Sequence, residues 1–439
     1  MAEDALARVR DRGHIGIRLG LARMQALLAV LGDPQRSLRG ALIGGTNGKG
    51  STQAMAAAML RAAGYRVVQS PSPHLSSYRE RIVIDGQPIS SEDLDSALAE
   101  VLAASVPGEP EHGPATQFEL LTAAAFLWGA REAVDVAVIE VGLGGRLDAT
   151  NTWDGGVAAI TNVGLDHGEY LGDTVAAVAA EKAAIIKAAD HAVTGASGAA
   201  LDVIVSHCEA LEVPLLATRP LAFLRMDRHG TTLHDERLGE LPVPLLGRFQ
   251  AGNVAVALGV MDALAAAGFA ITTEAERRQG LAEARWPGRM EVLEVDGLDV
   301  LLDGAHNPDG ARTLAETVDQ LSSSLPQGRA VLMLGAMADK DVPAMVEALE
   351  TSPVLADATL VASGVPGTTR GHPAASLAAA WQRRRRATQA VRAIDHADEA
   401  LAEAVRTARS EGGPLVVAGS LYLIGHVRAR LRPSEHLTD

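Results

Sequence analysis

The chain has 439 residues, which exceeds the size of one ordinary hydrophobic core and predicts two domains. Its composition, 47% apolar and 21% charged, is typical of a packed globular protein and excludes extensive disorder. A net charge of −15 excludes a broad surface for nucleic acid or anionic membrane, because both partners require a basic face. The single cysteine, Cys208, excludes an intramolecular disulfide bond and favours a reducing compartment.

The N-terminal segment and the apolar stretches bear on location. The first residues include acidic side chains and lack the apolar run of a secretory signal. The most apolar stretches, such as residues 120–130, are shorter than the roughly 20 residues that a membrane-spanning helix needs. We therefore expect a cytoplasmic monomer with no nucleic-acid or membrane partner.

Apolar runs of strand length alternate along the chain with Ala- and Leu-rich stretches of helical period. This pattern is typical of parallel sheets covered by helices on both faces, so the predicted fold class is α/β. We expect a doubly wound domain followed by a smaller, Rossmann-like α/β domain. The elements predicted for the first domain are strands at 38–43, 66–69, 134–141 and 157–163 and helices at 51–63 and 118–130.

The helical pattern stops at Trp286, Pro287 and Gly288, and a new series of strands begins there. We place the domain boundary at this point, which gives predicted domains of 1–287 and 288–439. The strands predicted for the second domain are 290–295, 298–302, 330–334, 358–362 and 414–418.

A glycine-rich segment, GGTNGKGST at 44–52, follows a predicted strand and opens a predicted helix. Glycines let successive backbone N–H groups curl around phosphate oxygens, the helix N-terminus adds positive charge, and Lys49 would reach the outer phosphates. The segment departs from the common G-x-x-x-x-G-K-[ST] pattern, because Ile43 replaces the first glycine and Gly50 separates Lys49 from Ser51. The alternative is an ordinary glycine-rich turn. The predicted nucleotide-binding residues are Thr46, Asn47, Gly48, Lys49, Gly50 and Ser51.

Glu140 ends a run too apolar to be anything but a buried central strand. Burying an unpaired carboxylate costs several kcal/mol, so we expect Glu140 to meet a cation at the carboxyl edge of the sheet. Ser72 and His167 each follow another predicted strand and would reach the same edge. The oxygen atoms of Glu140 and Ser72 suit Mg²⁺, whereas the residues alone favour a capping or core role for His167 as much as a metal-binding one.

In the second domain, Asp303 follows a predicted strand, and His306, Asn307 and Pro308 open a predicted helix. Proline suits the first helical turn, and we predict that Asn307 caps the helix. Asp303 and His306 would then lie at a ligand-facing edge. Arg289, at the predicted boundary, could reach phosphates when the domains close.

The variant loop GTNGKGS resembles the phosphate loop of the Mur-ligase-like superfamily, specifically its folylpolyglutamate synthase and dihydrofolate synthase branch. Other segments are similar to blocks of that family in the same order, and the resemblance covers nearly the whole chain. These segments are SPHL at 72–75, YRERI at 78–82, EVGLGGRLDATN at 140–151, LDH at 165–167, EKAAIIK at 181–187, FQAGN at 249–253, WPGR at 286–289, LDGAHNP at 302–308 and GSLYL at 419–423.

The resemblance implies an ATP- and Mg²⁺-dependent amide ligase that joins L-glutamate to a folate-type carboxylate through an acyl phosphate. The implied acceptors are dihydropteroate and tetrahydrofolate, and we expect both. Residues 1–287 would form a P-loop ATPase domain that holds ATP, Mg²⁺ and the folate, and residues 288–439 would form the glutamate-ligase domain.

The resemblance also implies roles for individual residues. It adds His167 to Ser72 and Glu140 as a metal ligand, and it implies a carbamylated Lys182, which would otherwise be taken as an exposed helical lysine. It assigns to ATP Asn253, Arg289, Asp303 and His306. The pterin would contact Thr116, Phe118 and Asp148, although Phe118 also suits a helix core. The expected catalytic residues are Lys49, Lys182 and, as the base for the attacking amine, His306.

Two other functions remain open. A Mur-type ligase of peptidoglycan precursors uses the same chemistry, but the 43 residues before Gly44 are too few for the separate nucleotide-sugar domain expected there. A catalytically silent nucleotide-binding scaffold is the second alternative. The presence of Lys49, Glu140 and His167 argues against it.

Overall fold

The computed structural model describes residues 4–106, 109–165, 168–383, 390–433, 437 and 439. It has the predicted α/β class, with three sheets and helices packed against them. The helices are α1 (Ala5–Asp11), α2 (Ala22–Val30), α3 (Lys49–Ala62), α4 (Ser91–Ser105), α5 (Glu109–His112), α6 (Gln117–Arg131), α7 (Gly168–Leu171), α8 (Val175–Ala183), α9 (Gly198–Ala210), α10 (Gln250–Ala266), α11 (Glu274–Glu283), α12 (Pro308–Leu321), α13 (Val342–Leu349), α14 (Pro353–Ala356), α15 (Ala374–Gln382), α16 (Ala397–Glu411) and α17 (Leu421–Leu431).

The strands fall into sheets A, B and C, which we define by their members. Sheet A contains β1 (Gly40–Gly44), β2 (Val67–Ser70), β3 (Val83–Ile84), β4 (Gln87–Pro88), β5 (Val136–Glu140), β6 (Gly156–Ile160), β7 (His191–Thr194) and β8 (Leu215–Ala217). Sheet B contains β9 (Ala222–Asp227), β10 (Gly230–Asp235) and β11 (Gly239–Val243). Sheet C contains β12 (Glu291–Val295), β13 (Leu298–Leu302), β14 (Arg329–Leu334), β15 (Thr359–Ser363), β16 (Val391–Ile394) and β17 (Gly412–Ala418).

Sheet A has the strand order β4-β3-β2-β5-β1-β6-β7-β8, and the strands from β2 to β8 in this order are parallel. Alternate residues of a strand face opposite sides, so Leu42 joins the core beneath α6, while Ala41 and Ile43 join the core beneath α3 and α10. Both faces are buried, which explains why β1 and β5 are continuous apolar runs. The four predicted strands match β1, β2, β5 and β6, with ends displaced by at most three residues.

Helix α3 illustrates how the sequence sets an element's bounds. It begins at Lys49, directly after the glycine-rich loop, and its last turn ends before Gly64. Gly64 has a φ of 85°, a left-handed conformation that glycine adopts at low cost and that commonly terminates helices. The predicted end of this helix at Gly64 is therefore confirmed.

Sheet B is antiparallel and contradicts the expectation of a purely parallel rhythm. Its first hairpin joins β9 to β10 through Arg228 and His229, and β9 exposes side chains such as Arg225. A sheet with one exposed face needs only half its residues apolar, so its strands lack the long apolar runs that mark parallel strands.

Sheet C has the order β12-β13-β17-β14-β15-β16, with β12 antiparallel to β13 and the other pairs parallel. The prediction of a strand at 298–302 is confirmed exactly as β13, and the other four predicted strands match β12, β14, β15 and β17 within two residues. The edge strand β16 was not predicted. In the described ranges, no helix is both long and apolar enough to cross a lipid bilayer.

Side chains from the part of the chain that forms sheets A and B enter the cores around sheet C. Leu75, which follows β2, packs against the core between sheet C and α17, and Leu246 lies within the core on the opposite face. Met226 of β9 packs against that second core. Arg228 Nη2 donates to Asp299 Oδ1 of β13 at 2.7 Å. Sheet C is therefore joined to sheets A and B by side-chain packing as well as by the connecting chain.

Candidate active site

A cavity of about 470 Å³ lies between the carboxyl ends of sheets A and C. From sheet A it is lined by the glycine-rich loop after β1 and by Glu140 at the end of β5. From sheet C it is lined by Asp303 after β13 and by Ser420 after β17. Ligands of α/β proteins bind at the carboxyl ends of parallel strands, so this cavity is the candidate active site.

The glycine-rich loop is held by the segment that follows β6. Thr46 Oγ1 donates to the Gly164 carbonyl at 3.1 Å, and the Gly164 N–H donates back to Thr46 Oγ1 at 2.9 Å. The Asn47 N–H donates to Asn162 Oδ1 at 3.0 Å. These bonds fix the loop in shape before any ligand binds, which lowers the ordering cost of phosphate binding.

Two glycines of the loop are required by close neighbours. Gly48 has a φ of 82°, and a Cβ added to it would overlap Oδ1 of Asn253 in α10. A Cβ on Gly50 would lie 2.5 Å from Cζ2 of Trp286. The departure from the common phosphate-loop pattern at Gly50 therefore has a steric cause, because the indole of Trp286 lies against the start of α3.

Two lysines meet at the carbonyl of Gly45. Lys49 Nζ donates to the carbonyls of Gly45 at 3.2 Å and Thr46 at 3.1 Å. Lys182 Nζ, from α8, donates to the Gly45 carbonyl at 3.0 Å. Lys182 is only 3% exposed, so it is not the surface lysine that the residues alone suggested. Both lysines therefore donate to the same carbonyl oxygen of the loop.

Glu140 is buried at the end of β5 and interacts electrostatically with Lys49. Its Oε2 accepts a hydrogen bond from the Ser72 N–H at 3.1 Å. Burial raises the pKa of the Glu140 carboxyl, while Lys49, the Ser72 hydrogen bond and Arg289 act in the opposite direction. The predicted convergence of Glu140 and Ser72 at one sheet edge is thus observed.

Whether a divalent cation could bind here depends on the ligand atoms that the side chains offer. In the described ranges, no group of three or more His, Cys, Asp and Glu side chains is arranged to hold a metal ion. Glu140 and Ser72 offer oxygen atoms, and Mg²⁺ binds through few carboxylates while keeping several waters, so these two residues fit it. The predicted third ligand, His167, lies outside the described residues.

The wall from sheet C is formed by the segment after β13. The buried Asp303 carboxylate accepts from the N–H groups of Met290 and Ala305, each at 2.8 Å. Burial raises the pKa of Asp303, and the charge of Arg289 lowers it. His306 Nδ1 donates to the Gly304 carbonyl at 2.7 Å, so neutral His306 has its proton-accepting nitrogen at Nε2.

Two further predictions concern this wall. Asn307 Oδ1 accepts from the Gly310 N–H at 2.7 Å, which confirms that Asn307 caps α12. Arg289 lies against Gly304 and acts electrostatically on both Glu140 and Asp303. Arg289 therefore interacts with a buried carboxylate from each of the two sheets, and Asn253 lines the cavity and lies against the glycine-rich loop.

Known proteins match the chain over nearly its full length. The family described as Mur ligase middle domain matches residues 43–261, and that described as Mur ligase, glutamate ligase domain matches residues 288–421. The folylpolyglutamate synthase of Lacticaseibacillus casei is 36% identical over 426 residues, which cover 93% of this chain and 94% of that protein. The chain belongs to the folylpolyglutamate synthase family.

Two other proteins of the family agree in length and fold. The dihydrofolate synthase/folylpolyglutamate synthase of Bacillus subtilis is 32% identical, over 98% of this chain and 99% of that protein. The crystal structure of Mycobacterium tuberculosis folylpolyglutamate synthase complexed with ADP and AMPPCP has a TM-score of 0.85 and 32% identity. That match covers 98% of this chain and 99% of the other.

The three residues expected to bind the pterin instead make contacts within the protein, behind the cavity wall. Thr116 caps α6 in a capping box with Glu119. Asp148 accepts from the Leu143 N–H at 2.8 Å, and burial raises its pKa. The ring of Phe118 lies against Gly142, which lines the cavity. Among the described residues, the lining contains none of Thr116, Phe118 and Asp148.

Several lining residues received no role from the sequence. His74, Trp286 and Tyr422 line the cavity. They belong to segments that resemble family blocks, but their residue types alone did not indicate a chemical role. Lys340, which follows β14, also lines the cavity. Only the fold brings these positions together, because they are far apart in sequence.

Proposed function

We propose that the protein is an ATP-dependent ligase that joins L-glutamate to folate-type carboxylates, with dihydropteroate and tetrahydrofolate as acceptors. The observation that carries this proposal is the placing of Lys49, Lys182 and Glu140 around one glycine-rich loop, in a cavity between two sheet edges. The names of the Lacticaseibacillus and Bacillus proteins support the acceptor class, and the complex of the Mycobacterium protein with ADP and AMPPCP supports the nucleotide.

We assign residues 1–287 to nucleotide, metal and folate binding and residues 288–439 to the glutamate-ligase domain. The separate family matches to 43–261 and 288–421 support a boundary near Gly288. The cavity lies where the two parts meet, so each reactant can be carried by one part and brought to the other.

In the first step, an oxygen of the acceptor carboxylate attacks the terminal phosphorus of ATP. The bond from that phosphorus to the bridging oxygen breaks, and ADP leaves with the electron pair. Like charges must approach one another here, and Lys49, Arg289 and the N–H groups of the loop would offset them. The proposed nucleotide-binding residues are Thr46, Asn47, Gly48, Lys49, Gly50, Ser51, Asn253, Arg289, Asp303 and His306.

In the second step, the amine nitrogen of L-glutamate attacks the acyl carbon, an amide bond forms, and phosphate leaves. The amine must lose a proton, and we assign the acceptance of that proton to His306, which lines the cavity. Closing of the second part of the chain over the cavity would keep water away from the acyl phosphate.

We assign a Mg²⁺ site to Ser72, Glu140 and His167. When bound there, Mg²⁺ would neutralise phosphate charge and orient the leaving oxygen. Glu140 meets the requirement for a hard oxygen ligand, and its burial among the charges of Lys49 and Arg289 holds it in place.

We also assign carbamylation to Lys182. The neutral amine would add to CO₂ and release one proton, which converts a cation into a carboxylate-like group. Burial of the side chain beside the phosphate loop supports this assignment. Mass spectrometry of the native protein would detect the added group. Activity lost in Lys182→Ala should return with short carboxylates, whereas loss in the control Lys187→Ala should not.

The experiment that tests the proposed function is phosphate release with ATP, Mg²⁺ and L-glutamate. Dihydropteroate, tetrahydrofolate and a peptidoglycan precursor are compared as acceptors. Turnover with both pterins is the expected result. Release with the precursor and with neither pterin would show that the protein is a peptidoglycan ligase, and silence with all three would favour a nucleotide-binding scaffold.

A further inference from the structure

Arg81 is a partly buried cation without a matching anion in the described part of the chain. It belongs to the short 3₁₀-helix that follows the SPHL segment. Its Nε donates to His74 Nδ1 at 3.0 Å, which is its one hydrogen bond to a described residue. A guanidinium carries five N–H donors, so most of this group has no protein partner among the described residues.

The nearby carboxylates are already engaged. Glu80, on the same 3₁₀-helix, accepts from the N–H groups of Leu75, Ser76 and Ser77. Glu140 interacts with Arg81 only through space and accepts from Ser72. Since neither carboxylate forms a direct ion pair with Arg81 in the described ranges, the guanidinium is suited to an anion that comes from outside the protein.

Arg81 lies behind the cavity wall and is not among the described residues that line the cavity. His74, its hydrogen-bond partner, lines the cavity, and so does Tyr422 at the start of α17. The phenol of Tyr422 is close enough to interact electrostatically with Arg81. Leu75 packs against α17, where a Cβ on Gly425 would overlap the Leu75 carbonyl oxygen. The segment that carries Arg81 is therefore held against sheet C.

A chain of contacts links Arg81 to the residues that the family resemblance assigns to the pterin. The ring of His74 lies 4.2 Å from the ring of Tyr78, measured between centroids. The Tyr78 hydroxyl accepts from Gln117 Nε2 at 3.0 Å, and Gln117 lies between two of the residues proposed to bind the pterin. An anion at Arg81 would thus lie near Glu140 and near the segment that carries Thr116 and Phe118.

We propose that Arg81 binds the non-reacting carboxylate of the glutamate already carried by a folate acceptor, and so determines specificity for chain extension. This inference rests on the proposed ligase function. Dihydropteroate has a single carboxylate, which is the one that reacts. The terminal glutamate of tetrahydrofolate has a second carboxylate, which stays charged throughout the reaction and needs a partner when it leaves water.

The test compares the two acceptors in Arg81→Gln and Arg81→Lys. With tetrahydrofolate, kcat/KM should fall about 10- to 100-fold in Arg81→Gln, which is the usual effect of losing a charge-assisted hydrogen bond, and by less in Arg81→Lys. With dihydropteroate, kcat/KM should change less than about threefold in either variant. Arg79→Gln is the matched control, because Arg79 Nε donates to the Ile89 carbonyl at 2.6 Å.

Equilibrium binding in the presence of AMPPCP keeps the test independent of turnover. Wild-type protein should bind tetrahydrofolate more tightly than the amide in which the non-reacting carboxylate is a carboxamide, and Arg81→Gln should bind both alike. Equal losses with both acceptors, a raised KM for L-glutamate alone, or persistent discrimination between acid and amide would overturn the assignment. Wild-type protein that binds neither pterin would instead refute the ligase function, and the Arg81 inference with it.

Discussion

The two ends of α3 offer a matched test of how the phosphate loop is shaped. Gly48 precedes the helix and Gly64 follows it, with φ values of 82° and 85°. An alanine in this left-handed region costs about 1–2 kcal/mol at either position. The two positions differ in their surroundings, because a Cβ on Gly48 would overlap Asn253, whereas a Cβ on Gly64 has no heavy atom of the described residues within 4 Å.

We therefore expect Gly48→Ala to be the more damaging change. It must displace the Asn253 side chain, whose Nδ2 donates to Gln250 Oε1 at 2.8 Å, and the loss of that bond adds about 1 kcal/mol. The total cost in the free energy of unfolding is then about 2–3 kcal/mol for Gly48→Ala, against about 1–2 kcal/mol for Gly64→Ala. Because the displaced loop is the one that should hold phosphates, the Kd for AMPPCP should also rise about tenfold or more in Gly48→Ala only.

Denaturant unfolding and calorimetric titration of AMPPCP measure the two effects. In Gly48→Ala combined with Asn253→Ala the overlap is absent, so the double variant should cost about 1 kcal/mol less than the sum of the single variants. If Gly48→Ala and Gly64→Ala lose the same stability and bind AMPPCP equally well, the contact with Asn253 does not shape the loop, and the reasoning is wrong.

Three further predictions concern charge. Glu140→Gln should reduce phosphate release at least about 100-fold and weaken its dependence on Mg²⁺, with an unchanged circular dichroism spectrum. Burial raises the pKa of Asp190 from 3.8 to about 7, so the folded state binds this proton more tightly than the unfolded chain and loses stability as the pH rises through that range. Asp190→Asn should accordingly raise the melting temperature more at pH 8 than at pH 5, and an equal rise at both would contradict this. Arg228→Ala should cost about 1–3 kcal/mol by leaving the buried Asp299 without its partner. The control Arg225→Ala breaks an exposed pair and should cost less than about 1 kcal/mol, and equal costs would show that the Arg228 pair is unimportant.

Features that depend on burial on both sides of a strand could be predicted from the sequence. Strand β5 is a continuous apolar run, so the carboxylate of Glu140 at its end stood out and its location at the sheet edge followed. The glycine-rich loop was predictable because strand, glycines, lysine and helix are contiguous from Gly40 to Ala62. The capping role of Asn307 followed in the same way from its position before Pro308.

Features that depend on contacts between distant segments could not be predicted in this way. Sheet B has one exposed face and therefore no long apolar run. The residues of β12 do not by themselves indicate that this strand is antiparallel to β13. Gly50 looked like an irregularity of the phosphate loop until Trp286, more than 200 positions later, was seen against it. The lack of an anionic partner for Arg81 among the described residues likewise becomes evident only from the fold, which shows that the carboxylates around it are engaged elsewhere.

The insertion of Leu75 beside α17 has a consequence for synthesis on the ribosome. Leu75 emerges early, but its packing partners on α17, such as Ile424, are made about 350 residues later. Protein synthesis proceeds at roughly 5–20 residues per second, so the Leu75 side chain stays unpacked for on the order of tens of seconds. Met226 and Leu246 likewise stay unpacked until sheet C has been synthesised. The nascent chain therefore presents apolar surface to chaperones throughout most of its translation, and its active-site cavity closes only when the last described helix has left the exit tunnel.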